Sequence, residues 1–201
     1  TGSVTVTATG VSGSPKTVAA TLTVSAPTPP PANTQPAVNV NCGGSDYTAV
    51  DGTKWTGDYY FTGGDLLYTS DAITNSQDLA VYRSGRAGLY GDFSYSIPVQ
   101  NGAYAVTLHF AEIQYWNRGD RVFNVAINNQ AVLSNFDLLA QADGGSNTAV
   151  DRTFTATVTD GTLTVSFSSF LASASSLASM VKTLLRGTPA TKPAIAIDSN
   201  A

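Results

Sequence analysis

Hydrophobic and polar residues alternate along two stretches in the middle of the chain, 103–112 and 121–129. A period of two over such a length, carried by branched and aromatic residues, is typical of a β-strand with one buried face. We therefore predict two central strands, each contributing one face to a core. Their large apolar positions are Tyr104, Val106, Leu108 and Phe110 in the first stretch, and Phe123, Val125 and Ile127 in the second.

The connection between the two predicted strands, residues 113–120, carries Tyr115 and Trp116 among polar residues. Two large aromatic side chains in a polar loop are costly to expose without a purpose. They form either a lid on the core or a binding surface. Because the segment reads as a loop, we favour the binding surface.

Short alternating segments recur along much of the remaining chain, separated by Gly, Asn and Asp turns. Asp160–Gly161, between two of them, is a two-residue hairpin signal. Many short strands at regular spacing predict an all-β protein, a β-sandwich of jelly-roll type. The segments are 37–42, 93–99, 131–133, 150–158 and 162–167. Tyr82, Tyr95 and Trp55 are expected to be structural.

The two ends of the chain differ from this middle part. Residues 3–9 and 17–25 predict a β-hairpin that resembles the last strands of a bacterial immunoglobulin-like repeat. The proline-rich segment 26–36 reads as a semi-rigid linker, although a proline-rich recognition ligand is the alternative. We thus divide the chain into an immunoglobulin-like remnant at 1–25, the linker, and a sandwich domain at 37–201.

Beyond residue 169 the apolar positions change period. Leu177, Met180, Val181 and Leu184 have helical spacing, and Gly187 and Pro189 follow. We predict one amphipathic helix within 170–187, followed by a final strand at 194–197.

Composition narrows the function classes. The net charge of −4 and the pI near 4.7 argue against nucleic acid or an anionic membrane as the partner. The sequence contains no run of about 18 apolar residues, so no membrane-spanning segment is predicted. The single cysteine, Cys42, excludes an internal disulfide. Few charges, many turn residues and a start at Thr1 without Met or a signal peptide suggest part of an exported bacterial protein, secreted or on the cell surface.

Residues 37–168 carry motifs that resemble malectin and the bacterial malectin-like domains. In order, these are VNVNCGG (38–44), YFTGG (60–64), YRS (82–84), FSYSIPV (93–99), LHFAEI (108–113), RVFNV (121–125), NFD (135–137) and VTDGTL (158–163). The resemblance implies a malectin-like, galactose-binding-like sandwich that binds glucose-containing glycans. Bacterial relatives of this kind are appended to glycoside hydrolases and large surface proteins.

The resemblance also implies which residues touch sugar. Tyr68 falls near the first aromatic position, and Gln114 and Tyr115 fall on the family's aromatic pair, with Trp116 next. Tyr90 occupies a further aromatic position if three residues are inserted before it. If the insertion falls later, that position is Ala87 and the platform is missing. The acidic residue that the family carries before its last strand is absent, since Thr191 or Lys192 stands there.

Catalytic and metal signatures are absent from the sequence. The single histidine, His109, lies within a strand and is assigned a structural role, while Glu112 and Asp120 form at most a chance carboxylate pair. A calcium ion near Asp46, Asp51 and Asp58 is an alternative, but no loop has dense ligand spacing. Glu112 and Asp137, which recur in the family motifs, are also candidates for capping turns and strand ends. We predict no cofactor and no metal site.

We therefore expect a non-catalytic carbohydrate-binding module that works beside other domains of the same polypeptide. Tyr90, Tyr115 and Trp116 would stack on the glycan, and Tyr68 and Gln114 would donate or accept hydrogen bonds. The alternative is a structural or adhesive spacer that keeps the sandwich and has lost the sugar site. Convergent exposed aromatic residues favour binding, and dispersed or buried ones favour the spacer.

Overall fold

The structure is a computed structural model that describes residues 2–6, 9–10, 12–13, 16–20, 37–89, 91–143, 145–169 and 182–186. Its strands are β1 (Gly2–Val6), β2 (Lys16–Ala20), β3 (Val38–Asn39), β4 (Tyr47–Thr48), β5 (Lys54–Trp55), β6 (Phe61–Thr62), β7 (Asp65–Tyr68), β8 (Ser84–Ala87), β9 (Phe93–Pro98), β10 (Gly102–Ala111), β11 (Val122–Ile127), β12 (Gln130–Asp137), β13 (Ala149–Val158), β14 (Thr162–Ser169) and β15 (Lys182–Arg186). Two short helices, α1 (Leu79–Arg83) and α2 (Leu138–Gln141), interrupt them.

Two antiparallel sheets enclose the core. One has the strand order β13-β10-β15-β3, and the other has the order β12-β11-β14-β9-β6. Buried side chains of both sheets pack into one hydrophobic cluster. The prediction of an all-β sandwich is therefore confirmed.

The alternation in the sequence explains which side chains enter the core. All the large apolar positions of the two central strands are buried, as are Tyr82, Tyr95 and Trp55. The ring of Phe110 lies 5.6 Å from that of Phe123, and the rings of Phe123 and Phe136 are 5.4 Å apart. These contacts join the two sheets at the end where β10 leaves one sheet and β11 enters the other.

Asp160–Gly161 does not close a hairpin, in contrast to the prediction. It connects β13, which pairs with β10, to β14, which pairs with β9 and β11. The turn thus carries the chain from one sheet to the other. A short turn sequence specifies a reversal of direction, but the strands on either side pair with whichever neighbours complete their ladders.

The prediction of a helix across 170–187 is wrong for its last part. Residues 182–186 form β15, which pairs with β10 on one side and with β3 on the other. The backbone of β15 therefore satisfies ladder hydrogen bonds of both neighbours in the middle of the sheet. That gain overrides the local helical spacing. The rest of the predicted helix and the predicted strand at 194–197 lie outside the described residues.

At the N-terminus, β1 and β2 pair antiparallel from Gly2 opposite Ala20 to Val6 opposite Lys16. The expected hairpin is thus formed by these residues. Its assignment to an immunoglobulin-like repeat and the linker at 26–36 stay predictions.

Gly43 provides a test of the close contact between two segments of the fold. Its φ is +69°, and a Cβ built on it would lie 2.5 Å from the backbone oxygen of Gly85. We expect Gly43→Ala to lower the free energy of unfolding by about 3 kcal/mol or more, since backbone strain and a clash add together. Urea unfolding measures this change.

Gly52→Ala is the matched control, because Gly52 has a φ of +83° and open space around it. Only the backbone strain of alanine at a positive φ applies there, so we expect the free energy of unfolding to fall by about 1–2 kcal/mol. Equal losses for the two variants would contradict the contact between Gly43 and Gly85.

Candidate functional site

The loop between β10 and β11 is closed at its base by a buried ion pair. Glu112 and Arg121 stand on its two sides, and their side chains are 0% and 1% exposed. Arg121 Nε donates to Glu112 Oε2, and Arg121 Nη2 donates to Glu112 Oε1 over 3.1 Å. Such a two-bond contact fixes the distance between the ends of the two strands.

The same pair shapes the first half of the loop. Glu112 Oε1 accepts the backbone N–H groups of Gln114 and Tyr115, at 2.9 and 3.0 Å. Arg121 Nη2 donates to Gln114 Oε1 over 3.2 Å, and the guanidinium lies 4.9 Å from the centre of the Tyr115 ring. Gln114 and Tyr115 are consequently both half-buried and held by the pair.

The rest of the loop is held by hydrogen bonds to residues outside it. Asp137 Oδ2 accepts the N–H of Gly119 over 2.9 Å, while Asp137 Oδ1 caps α2 at Ala140. Ser146 Oγ donates to the backbone oxygen of Tyr115. Trp116 is 74% exposed on this fixed loop. The capping roles that the sequence left open for Glu112 and Asp137 are therefore real contacts.

Tyr68 lies elsewhere, at the end of β7, and is 74% exposed. It borders a cleft of about 460 Å³ between the 41–47 segment and the junction of α1 with β8. Among the described residues, no hydrogen bond or ring contact joins Tyr68 to Tyr115 or Trp116. The predicted site residues thus fall in two places, the loop and the cleft.

A short chain of hydrogen bonds connects the two places. Arg83 Nε donates to the backbone oxygen of Asp71 over 2.8 Å at the edge of the cleft. Asn147 Nδ2 reaches Asp71 Oδ2 at 3.5 Å, and the N–H of Asn147 donates to the backbone oxygen of Glu112 over 2.7 Å. These hydrogen bonds therefore link the edge of the cleft to the base of the loop.

Tyr90, the third predicted platform, lies outside the described residues. Ala87, the alternative occupant of that position, ends β8 opposite Asp65 and is fully buried. If the family position is Ala87, no aromatic ring stands there.

A second buried ion pair, which sequence reasoning missed, fixes the Gly63–Gly64 turn. Arg86 Nε donates to Asp58 Oδ2 over 2.6 Å, and Arg86 Nη1 donates to the backbone oxygen of Gly64 over 2.8 Å. Tyr95 Oη donates to Asp58 Oδ1 over 2.8 Å. Burial raises the pKa of the Tyr95 phenol well above its ordinary value, and Cys42 and Asp58 raise it further.

The alternative calcium site is not formed by these contacts. Asp58 is committed to Arg86 and Tyr95, Asp46 Oδ1 accepts the N–H of Gly57, and Asp51 Oδ1 accepts the N–H of Thr53. In the part of the chain that the structure describes, no three His, Cys, Asp or Glu side chains are grouped as a metal site requires.

His109 belongs to a hydrogen-bonded cluster on the side of the sandwich. Its Nδ1 lies 2.7 Å from Asp151 Oδ1, to which Tyr82 Oη donates over 2.7 Å. Burial raises the pKa of the Tyr82 phenol, and Asp151 raises it further. Burial would also raise the pKa of Asp151, but the hydrogen bond and charge of His109 outweigh it and lower that pKa below its ordinary value. The cluster ties α1 to β10 and β13.

Comparison with known proteins gives the fold and the loop their context. Residues 37–179, more than half of the chain, match the malectin domain family. The chain belongs to the malectin family. This places it among domains of a carbohydrate-binding fold and supports a non-catalytic module.

Parts of some plant proteins resemble this chain. Kinesin-like protein KIN-14E of Oryza sativa subsp. japonica is 35% identical over 116 residues, covering 52% of the chain and 10% of the relative. A probable LRR receptor-like serine/threonine-protein kinase of Arabidopsis thaliana is 33% identical over 97 residues, covering 45% and 10%. The chain thus spans about a tenth of these relatives. Their plant origin weighs weakly against the expected bacterial source.

A solved structure supports the same fold. The ANX2 ectodomain from Arabidopsis thaliana superposes with a TM-score of 0.64 at 21% identity, covering 74% of the chain and 48% of that ectodomain. At 21% identity this likeness establishes the fold alone, which is the malectin-like sandwich. Among the described residues, no helix has the length and apolar character needed to cross a bilayer.

The buried pair under the loop makes a strong prediction. Glu112→Ala leaves the Arg121 charge buried without a partner and frees two backbone N–H groups. We expect the free energy of unfolding to fall by about 3–5 kcal/mol. The double variant Glu112→Ala/Arg121→Met should be less destabilised than Glu112→Ala alone, as measured by urea unfolding.

Asp120→Ala is the control in the same loop, because Asp120 only bonds Asn117 at the exposed surface. This substitution should lower the free energy of unfolding by no more than about 1 kcal/mol. A loss for Glu112→Ala as small as that of Asp120→Ala would show that the pair does not hold the loop.

Proposed function

We propose that this malectin domain, residues 37–201, is a non-catalytic carbohydrate-binding module that recognises glucose-containing oligo- or polysaccharides. Trp116 and Tyr115 stack on the sugar, with Tyr90 as a third platform. Gln114 makes a hydrogen bond to a hydroxyl of that sugar, and Tyr68, in the separate cleft, makes one to another residue of the same glycan. The module works in a secreted or cell-surface protein, after an immunoglobulin-like domain at 1–25 and the linker at 26–36.

The observation that carries this proposal is a 74% exposed tryptophan on a loop that is fixed from within and from outside. Exposing an indole ring is unfavourable unless a partner covers it. A rigid loop adds to the value of such a ring, because little conformational entropy is lost when a ligand binds. Pyranose rings present apolar C–H faces that suit an indole platform.

Gln114 has a defined part in this scheme. Its Oε1 is occupied by Arg121, which fixes the side chain and turns the amide group into a positioned donor. A sugar hydroxyl would meet the Nε2 amide beside the platform. The substitution of an amide for the family's aromatic residue therefore exchanges ring contact for a hydrogen bond.

The second candidate function is a structural or adhesive spacer, and two observations favour it. The ring of Tyr115 is already covered on one side by Arg121, and if the family's aromatic position falls on Ala87, no ring stands there. Under this alternative the loop keeps its geometry but binds no glycan.

Removal of the exposed ring tests the proposal. We expect Trp116→Ala to weaken binding to a glucose-containing oligosaccharide at least about tenfold, since a central aromatic contact is lost. The 201-residue chain and its variant are compared on a glycan array and by isothermal titration calorimetry.

Tyr59→Ala is the matched control, because Tyr59 is 59% exposed and lies outside the loop. Its binding should equal that of the parent chain. A folded parent chain without any glycan signal would favour the spacer. An equal loss for both variants would contradict the assignment of the sugar to the Trp116 loop.

A further inference from the structure

The cleft beside Tyr68 has the features of a binding site in its own right. It is an open groove of about 460 Å³, and none of its lining residues belongs to the loop that carries Trp116. We call it the Tyr68 cleft, and its walls are Asn41, residues 43–47, Tyr68, Ala80, Arg83 and Ser84. A volume of this size suits a single sugar residue with part of its neighbour.

Arg83 supplies an uncommitted cation to the Tyr68 cleft. The residue is half-buried, and its Nε is fixed by the backbone oxygen of Asp71. Within the described residues, its two Nη groups make no hydrogen bond. A guanidinium has five N–H donors in a planar fork, so four remain for a ligand. That fork matches a carboxylate better than it matches isolated hydroxyls.

Asn41 contributes a buried amide group to the wall of the same cleft. The residue is 4% exposed, and its Nδ2 donates to the backbone oxygen of Ser45 over 2.7 Å. Its Oδ1 is buried and has no partner among the described residues. An unpaired buried acceptor is unfavourable, and in this structure the atom is closed to a ligand.

Gly44 packs closely over the amide group of Asn41. A Cβ built on Gly44 would lie 2.4 Å from Asn41 Nδ2 and 2.8 Å from Asn41 Oδ1. Any side chain at position 44 would therefore push against the amide. The cleft depends on glycine here for close approach.

The remaining walls set the shape and the orientation of a ligand. Tyr68 offers an exposed ring at the rim, and Tyr47 is held by its hydroxyl on Asp78 Oδ1 at 3.3 Å. Asp46, the carboxylate among the lining residues, accepts the N–H of Gly57 over 2.6 Å. Asp46 would repel a ligand carboxylate, so that group must point towards Arg83.

We propose that the Tyr68 cleft binds one hexuronic acid residue of an acidic glycan. The sugar carboxylate lies on the Arg83 fork, and a C–H face of the sugar lies against Tyr68. Arg83 is then the residue that determines the preference for acidic over neutral sugar. This proposal rests on the proposed carbohydrate-binding function, and it specifies that one of the bound sugar residues is negatively charged.

The test compares two ligands that differ only in charge. Glucuronic acid oligosaccharides and the glucose oligosaccharides obtained from them by carboxyl reduction are titrated into the 201-residue chain. We expect the acidic ligand to bind at least about tenfold more tightly, and this advantage to shrink as NaCl is raised. Arg83→Gln should bring the acidic ligand down to the affinity of the neutral one and leave the neutral one unchanged.

Arg83→Lys and Lys54→Gln complete the set. A lysine keeps the charge but loses the fork, so its affinity for the acidic ligand should be intermediate. Lys54 is an exposed cation outside the cleft, and its removal should change neither affinity. Circular dichroism of each variant checks that the fold is kept.

The outcomes separate the two proposals. Equal binding of acidic and neutral ligands overturns the uronate assignment and leaves the carbohydrate-binding function in place. A folded Arg83→Gln variant that loses both ligands equally also overturns it, because Arg83 would then act by holding the Asp71 segment. Binding of neither ligand by the folded parent chain overturns both proposals.

Discussion

The buried contact between Glu112 and Arg121 is the interaction on which the loop between β10 and β11 depends. Both side chains are removed from water at the point where the chain passes from one sheet to the other. A buried pair of this kind is costly, and hydrogen bonds to its remaining atoms reduce the cost. Glu112 accepts two backbone N–H groups of the following loop, whereas Arg121 Nη1 has no partner among the described residues. The ion pair and the loop conformation are thus parts of one arrangement.

This arrangement explains why an aromatic loop stays ordered at the surface. Tyr115 lies against the guanidinium, and Trp116, the next residue, is directed to solvent. Asp137 and Ser146 close the arrangement from α2 and from the segment before β13. The site is therefore built from contacts that strand order brings together, since β10, β11 and β13 all begin or end near this loop.

The sequence predicted the sandwich because alternation is a local property. The positions from Tyr104 to Phe110 and from Phe123 to Ile127 show it without reference to the rest of the chain, and all of them are buried. β15 was missed because its place is set by pairing with β3 and β10, two strands that lie far away in the sequence. The Asp160–Gly161 turn was read correctly as a turn, but its strands pair with other partners.

The site was predicted in part, for a related reason. The family resemblance identified Tyr115 and Trp116 on the loop, but it did not show that Tyr68 borders a separate cleft. The capping role of Glu112 was among the candidates from the sequence, but its ion pair with Arg121 was not. The two residues are nine positions apart in the chain, and only the fold brings them into contact.

The most direct test of the account uses the two tryptophans of the chain. Trp55 is 6% exposed within the core, and Trp116 is 74% exposed on the loop. Their indole N–H signals in a ¹⁵N-correlated NMR spectrum report the two places separately during titration with glucose di- and trisaccharides of each linkage. We predict a saturable shift of the Trp116 signal and an unchanged Trp55 signal for at least one sugar. If the Trp116 signal stays unchanged with every sugar, the loop does not bind glycan.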